Sequence, residues 1–271
     1  MHPDSHMTSR PGEWIAAGRR ELASWLYLAL FGATALVIAL SPSTHDRANR
    51  VAMARHIYAS TWRVLPWFAA ASALVSLVLI RIVIVTALSY GLSQYALEMM
   101  VRVLVLELIP LTAALFVALR AGLAFNAGSA LPAAGAEPPS QAARSSADFH
   151  GEVVPEVIAS AFSVLSLAMV SSVIVLVLAY LNVYGLSPWG LVDYTRTVGR
   201  VFDPVVTIGF ALKTILFGMA VAVIPMAAMF ELSRQDGIAR PAASSTVQPG
   251  AMRLFFVLLL IEAASLTVKY I

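Results

Sequence analysis

The sequence predicts an all-α membrane protein: an N-terminal interfacial helix followed by five transmembrane helices. Three observations carry this reading. First, 59% of the 271 residues are hydrophobic and 12% are charged, and mean hydropathy is +0.81. Soluble domains carry about 25% charged residues, so this chain has too little polar surface to coat a water-exposed fold. Second, six stretches are apolar on all sides and approach or exceed the ~20 residues that cross a bilayer, whereas barrel strands are short and alternate polar with apolar. Third, the placement of Lys and Arg selects five crossings over six.

The elements follow in order. Residues 1–17 are polar, contain His2 and His6, and are expected to form a disordered tail. Residues 18–271 then form one membrane domain. The first apolar stretch is 22–40, and the remaining five are 64–92, 99–125, 157–184, 205–230 and 254–271. With 22–40 lying along the membrane and the N-terminus cytosolic, 12 basic residues fall on the cytosolic side and 3 outside, namely Arg196, Arg200 and Lys269. With six crossings the better orientation gives 9 against 6. Because basic residues accumulate in cytosolic loops, the five-span arrangement is preferred. The 22–40 helix is then interfacial, with Arg19, Arg20 and Trp25 near its start. The C-terminus is then expected on the outer side of the membrane.

Four connections are read from composition. Residues 41–63 are cytosolic and basic, and 93–98 form a short outer turn. Residues 128–151 form a cytosolic linker rich in Ala, Pro, Ser and Gly, with Pro138 and Pro139 adjacent. Residues 187–204 form an outer loop whose Trp189, Tyr194 and Phe202 suit a membrane interface.

Ionisable groups inside the spans are the candidate functional residues. Each costs about 2.5–3.5 kcal/mol at mid-bilayer on insertion scales, so each needs a partner or a wet cavity. Glu107 lies in the middle of the second span, just before the kinking residue Pro110. Lys213 lies two turns into the fourth span. The two either form a buried ion pair that holds helices together or line a cavity that meets a polar headgroup, with Lys213 as the residue for a phosphate. Arg102 and Glu98 have i,i+4 spacing. Arg81 is long enough to snorkel, and Glu262 lies deep in the last span.

The motif search removes several classes. No G-x-x-x-x-G-K-[ST] loop is present, so the chain is not expected to bind ATP itself. H-E-x-x-H and G-x-S-x-G are absent. There are no cysteines, and His45, His56 and His150 are far apart, so no metal or covalent cofactor is expected. No basic stripe carries base-stacking aromatics, which argues against nucleic acid.

The run from Glu107 to Gly122 resembles the signature of the MlaE/YrbE permease family. The residues that carry it are Glu107, Leu108, Pro110, Ala114, Leu115, Ala118, Arg120 and Gly122. His56-Ile-Tyr with Pro66, the segment Ala211-Leu-Lys-Thr-Ile-Leu-Phe217, Asp236-Gly-Ile238 and Ile261-Glu262-Ala263 also run in register with it. Departures are Leu106, Ile109, Leu119 and Gly128 within the signature region. Residues 130–150 also lack the family's coupling-helix motif, and only Val153-Val154-Pro155 resembles its exit. The resemblance implies a non-enzymatic permease subunit that dimerises with a second copy or a paralogue. It further implies a cytosolic ABC ATPase as the sole route to ATP, an MCE-domain protein on the outer side, and phospholipid or a related hydrophobic molecule as cargo. By the same resemblance Glu107 and Lys213 are lipid-pocket residues; Pro110 and Arg102 are added as candidates beside them, and Arg120, Glu152 and Pro155 as candidates for coupling to the ATPase. Two other classes stay open: an ion- or proton-coupled carrier without an ATPase, and a non-transporting membrane scaffold.

Overall fold

The structure, a computed structural model, describes residues 26, 30, 32, 58, 61–130, 154–235 and 250–270. Among these residues there are helices and turns and no strand. Helix α1 spans Leu65–Ser89, α2 Ser93–Met100, a π-helical segment Val101–Leu108, and α3 Ile109–Ala130. Helix α4 spans Val154–Tyr184, a single 3₁₀ turn Pro188–Gly190, α5 Leu191–Val201, α6 Pro204–Gln235, and α7 Ala251–Tyr270.

Among the described residues, five helices are long and apolar enough to cross a membrane: Leu65–Ser89, Tyr95–Gly122, Ile158–Tyr184, Pro204–Ala228 and Ala251–Lys269. These coincide with the five spans expected from sequence. The first stretch, 22–40, lies largely outside the described residues. Its described members Leu26, Leu30 and Gly32 are helical, and a Cβ on Gly32 would come within 3.3 Å of Val223 on α6. The tail at 1–17 and Glu152 also lie outside them, as does the linker beyond residue 130.

Three connections are more ordered than composition indicates. The turn after α1 is only Tyr90–Leu92, where Gly91 adopts φ +72, a conformation a Cβ would strain. Residues 93–98, expected as an outer turn, instead form the first coils of the second span, because that span runs on as one rod through α2, the π segment and α3. The helix also continues through 128–130, at the start of the expected linker. The expected outer loop at 187–204 folds into the 3₁₀ turn and α5. Helix α5 is amphipathic: Tyr194 and Val201 are buried on one side, while Asp193, Arg196 and Arg200 are exposed. Asp193 in its first turn and Arg200 in its last both oppose the helix dipole favourably. The buried face is fixed by an aromatic cluster in which Tyr194 packs edge-on against Tyr180 and Tyr184, at ring separations of 5.2 and 6.2 Å. The Tyr194 hydroxyl donates to the Leu176 carbonyl at 2.6 Å.

Helices α4 and α6 form the centre. Helix α4 packs most extensively on α6 and also on α1 and α3, and α6 additionally takes α7 and α3. Small residues bring α4 and α6 close: a Cβ on Gly218 would lie 3.0 Å from both the Cα and the carbonyl oxygen of Ala161. The core contains Ile80, Met100, Val105, Val164, Phe217 and Leu258. Thr61 and Ser163, both buried, join the α1 approach to α4 through a 2.7 Å hydrogen bond. Helix α7 touches the bundle chiefly through α6, and that seam holds the polar cluster described next.

Candidate functional site

The site begins with a backbone irregularity. Through Val101–Leu108 the second span is π-helical, and the Ile109 amide bonds the Leu104 carbonyl five residues back. In an α-helical register the Leu106 carbonyl would accept from residue 110, which is proline and has no N–H. Lys213 on α6 serves instead: its Nζ donates to the Leu106 carbonyl at 3.4 Å. Lys213 lies on the buried stripe of α6 with Phe210, Thr214 and Phe217, a helical i, i+4, i+7 spacing of neighbours that faces the second span. Its ammonium also sits 5.7 Å from the centre of the Phe217 ring.

Four charged side chains from three spans then alternate in sign. Lys213 Nζ donates to Glu107 Oε2 in a short, direct ion pair. The same ammonium lies 2.7 Å from Glu262 Oε2 on α7, an ion contact without an aligned hydrogen bond. Lys269, two turns beyond Glu262 on α7, donates to the other oxygen of Glu107 at 2.8 Å. The order is Glu262, Lys213, Glu107, Lys269. Lys213 is 3% exposed and the other three side chains are each 14% exposed. Among the described residues two acids and two amines offset one another, which is how such a cluster tolerates bilayer depth: removing one partner of a buried pair leaves the other's charge poorly compensated. Glu107 is twelve residues from Tyr95 and Lys213 nine from Pro204, so both sit about 14–18 Å along their helices at ~1.5 Å per residue, near the middle of a ~30 Å hydrocarbon core.

The cluster forms the polar end of a cavity of about 660 Å³ between α6, α7 and the π segment. Its walls are apolar, with Phe210, Leu212 and Leu216 from α6 and Leu260, Ile261 and Val268 from α7. Glu107, Lys213 and Lys269 line it, as does exposed Asp203, the residue before α6. The volume falls within the roughly 300–1,000 Å³ of small-molecule sites, which combine apolar walls with a few placed polar groups. The ion pair and the cavity, alternatives at the level of sequence, are present together.

Of the residues the sequence singles out, Glu107 and Lys213 meet at this cavity. Pro110 is buried behind it and acts on the backbone. Arg102 does not line the cavity and pairs with Glu98 at 2.8 Å, as the i,i+4 spacing indicates. Arg120 is partly buried in α3, away from the cavity, and Pro155 is the second residue of α4. Lys269 was assigned to the outer side by the charge count. Its recruitment to Glu107 was readable only as a seven-residue spacing from Glu262, which puts both on one face of α7. Among the described residues no three His, Cys, Asp or Glu side chains gather as metal ligands.

Among the described residues, five long apolar helices around a cluster of opposite charges, beside an apolar-walled cavity, define a multi-pass membrane protein of permease type. The particular family is settled by sequence: the family described as permease MlaE matches residues 53–264, and the chain belongs to it. It is accordingly the membrane subunit of a lipid-transport system rather than an enzyme. The matched region includes Glu107, Lys213 and Glu262, while Lys269 lies beyond it. No curated protein and no solved structure matches the chain.

Proposed function

We propose that this chain is the membrane-spanning half of an ABC-type transporter that moves phospholipid, or a related hydrophobic molecule, between membranes. A separate cytosolic ATPase binds and hydrolyses the ATP, and the chain needs no cofactor of its own. A second copy or a paralogue completes the permease, and an MCE-domain protein meets it on the outer side. The charge distribution supports placement in a bacterial inner membrane, with the N-terminus cytosolic and the end of α7 outside.

One observation carries the reading: the apolar cavity of about 660 Å³ that ends on Glu107, Lys213 and Lys269. Its walls suit acyl chains, since burying each CH₂ is worth about 0.8 kcal/mol. Its charged end suits a headgroup that would otherwise be stripped of water at a cost of several kcal/mol. Arg120, Glu152 and Pro155, at or near ends of the second and third spans, are the residues proposed to face the ATPase.

The test is gentle extraction of the full chain from its native membrane, followed by mass spectrometry of what comes with it. Phospholipid and an ATPase subunit are expected together. A photo-reactive residue at Leu216 or Leu260 should cross-link to lipid, whereas the same residue at Arg102 should give much less. A preparation with neither lipid nor ATPase, under conditions where the fold is intact, would overturn the proposal.

A further inference from the structure

We infer that Gly209 is a specificity-determining residue of the cavity: the side chain it lacks leaves room for the second acyl chain of a lipid. The inference rests on the lipid-site reading above and names the tails that the site takes.

Helix α6 carries two glycines within its span, and they face different surroundings. At Gly218 a Cβ would lie 3.0 Å from the Ala161 backbone, so the missing side chain lets α4 approach. At Gly209 a Cβ would meet none of the described residues within 4 Å. Its φ is not positive, so the backbone does not call for glycine either. Alanine is the better helix former at such a position, so neither packing nor propensity within the chain accounts for Gly209. What borders it is the cavity, which it lines from the middle of a stripe running through Val205, Lys213 and Leu216.

Helix α7 keeps the same level open. Two contacts fix its register on α6: a Cβ on Gly250 would meet Ala228, and Glu262 lies 2.7 Å from Lys213. The two helices therefore run in opposite directions. Gly209, about 6 Å along α6 from Lys213 at ~1.5 Å per residue, comes level with the residues three or four beyond Glu262. Ser265 stands there, next to Ala264, and both line the cavity. Small residues thus border the cavity from both helices at one depth. The α6 lining extends from Val205 to Leu216, about 16 Å, so a volume of about 660 Å³ has a mean section of about 40 Å². Methylene chains in contact lie ~4 Å apart, so each needs on the order of 16 Å². Two chains fit side by side. A leucine at 209 would project into that section and leave width for one.

The experiment takes the full-length chain as extracted from its membrane and offers equal amounts of dipalmitoyl phosphatidylethanolamine and its single-chain lyso form, which share headgroup and chain length. Native mass spectrometry measures the retained lipid and the oligomeric state together. The wild type should retain the two-chain lipid over the single-chain one by about tenfold or more, the discrimination that apolar pockets draw from small differences in bulk. Gly209→Ala should fold at least as well as wild type and lower that ratio, and Gly209→Leu should reverse it. Gly199→Leu on α5, where a Cβ also meets no described residue but no cavity wall is altered, should change nothing. A wild type without the two-chain preference, an unchanged ratio in folded Gly209→Leu, or equal loss of both lipids there would overturn this inference and leave the lipid site standing. So would a Gly209→Leu protein that keeps the wild-type ratio but splits its oligomer, because the glycine would then serve contact with a second copy. Should Gly209→Leu not fold, Gly209→Ala decides, and a wild-type ratio in it overturns the inference. No retained lipid of either kind in folded wild type would remove both readings.

Discussion

Replacing Lys213 by Met tests the energetic core of the cluster. The substitution keeps side-chain length and apolar bulk but removes the shared cation. Glu107 retains Lys269 at 2.8 Å, so its charge stays compensated. Glu262 loses its ion contact, and the Leu106 carbonyl loses its donor. Breaking a buried pair by deleting one partner costs about 3–5 kcal/mol, and at 3% exposure Lys213 warrants no solvent discount. The loss should therefore be about 3–5 kcal/mol. A second change in the same background separates the causes. Glu262→Gln removes the stranded charge and should recover about 2 kcal/mol or more. Glu107→Gln should recover less, because it strands Lys269 instead. The assay is unfolding in mixed micelles with rising denaturing detergent, followed by circular dichroism across the full double-mutant cycle. A Lys213→Met cost below about 1 kcal/mol, the level of an exposed pair, would refute the claim that the cluster is a mutually compensating unit. So would greater rescue by Glu107→Gln than by Glu262→Gln.

Two further outcomes follow from packing and ionisation elsewhere. Gly218→Leu should destabilise the bundle by about 1–3 kcal/mol, since even a Cβ there meets Ala161 backbone at 3.0 Å and α4 must move off α6; an unchanged melting temperature would contradict this contact. Burial, reinforced by neighbouring Tyr184, pushes the Tyr194 phenol from its usual 10.0 up to about 12. The folded state therefore holds that proton longer than the unfolded one, so the contribution is intact below pH 10 and is lost as pH climbs from 10 toward 12. Tyrosinate absorbance should show one late-ionising phenol that disappears in Tyr194→Phe, and its persistence in that variant would assign the late step to another residue.

The spans were legible because bilayer thickness imposes a length and an all-round apolarity that no neighbour can alter. Residues 65–89, 158–184 and 251–269 had only to be long and apolar. Glu107 and Lys213 stood out for a related reason: an ion is costly at that depth wherever its helix packs. Their mutual pairing was one of two open readings, because depth constrains how far along a helix a group lies but leaves its rotation free. Rotation is set by contacts such as Gly218 on Ala161 and Phe217 in the core. The 187–204 segment reads as a loop in sequence because its turn residues, Gly185 to Pro188, are local signals. The burial of Tyr194 and Val201 that makes a helix of it depends on Tyr180, Tyr184 and Leu176 in a different element.

Sequence by itself determined that this chain lives in a membrane, how many times the described helices cross it, its family, and which two charges must be answered for. Each of these follows from transfer free energies that belong to single residues and short runs. Only the tertiary structure decided that Lys213 is closed in by three acceptors, that Lys269 reaches back to share Glu107, and that the shared cluster borders a cavity. Those facts depend on the relative rotation of three helices and on a π-helical register beside a proline, which no local pattern specifies.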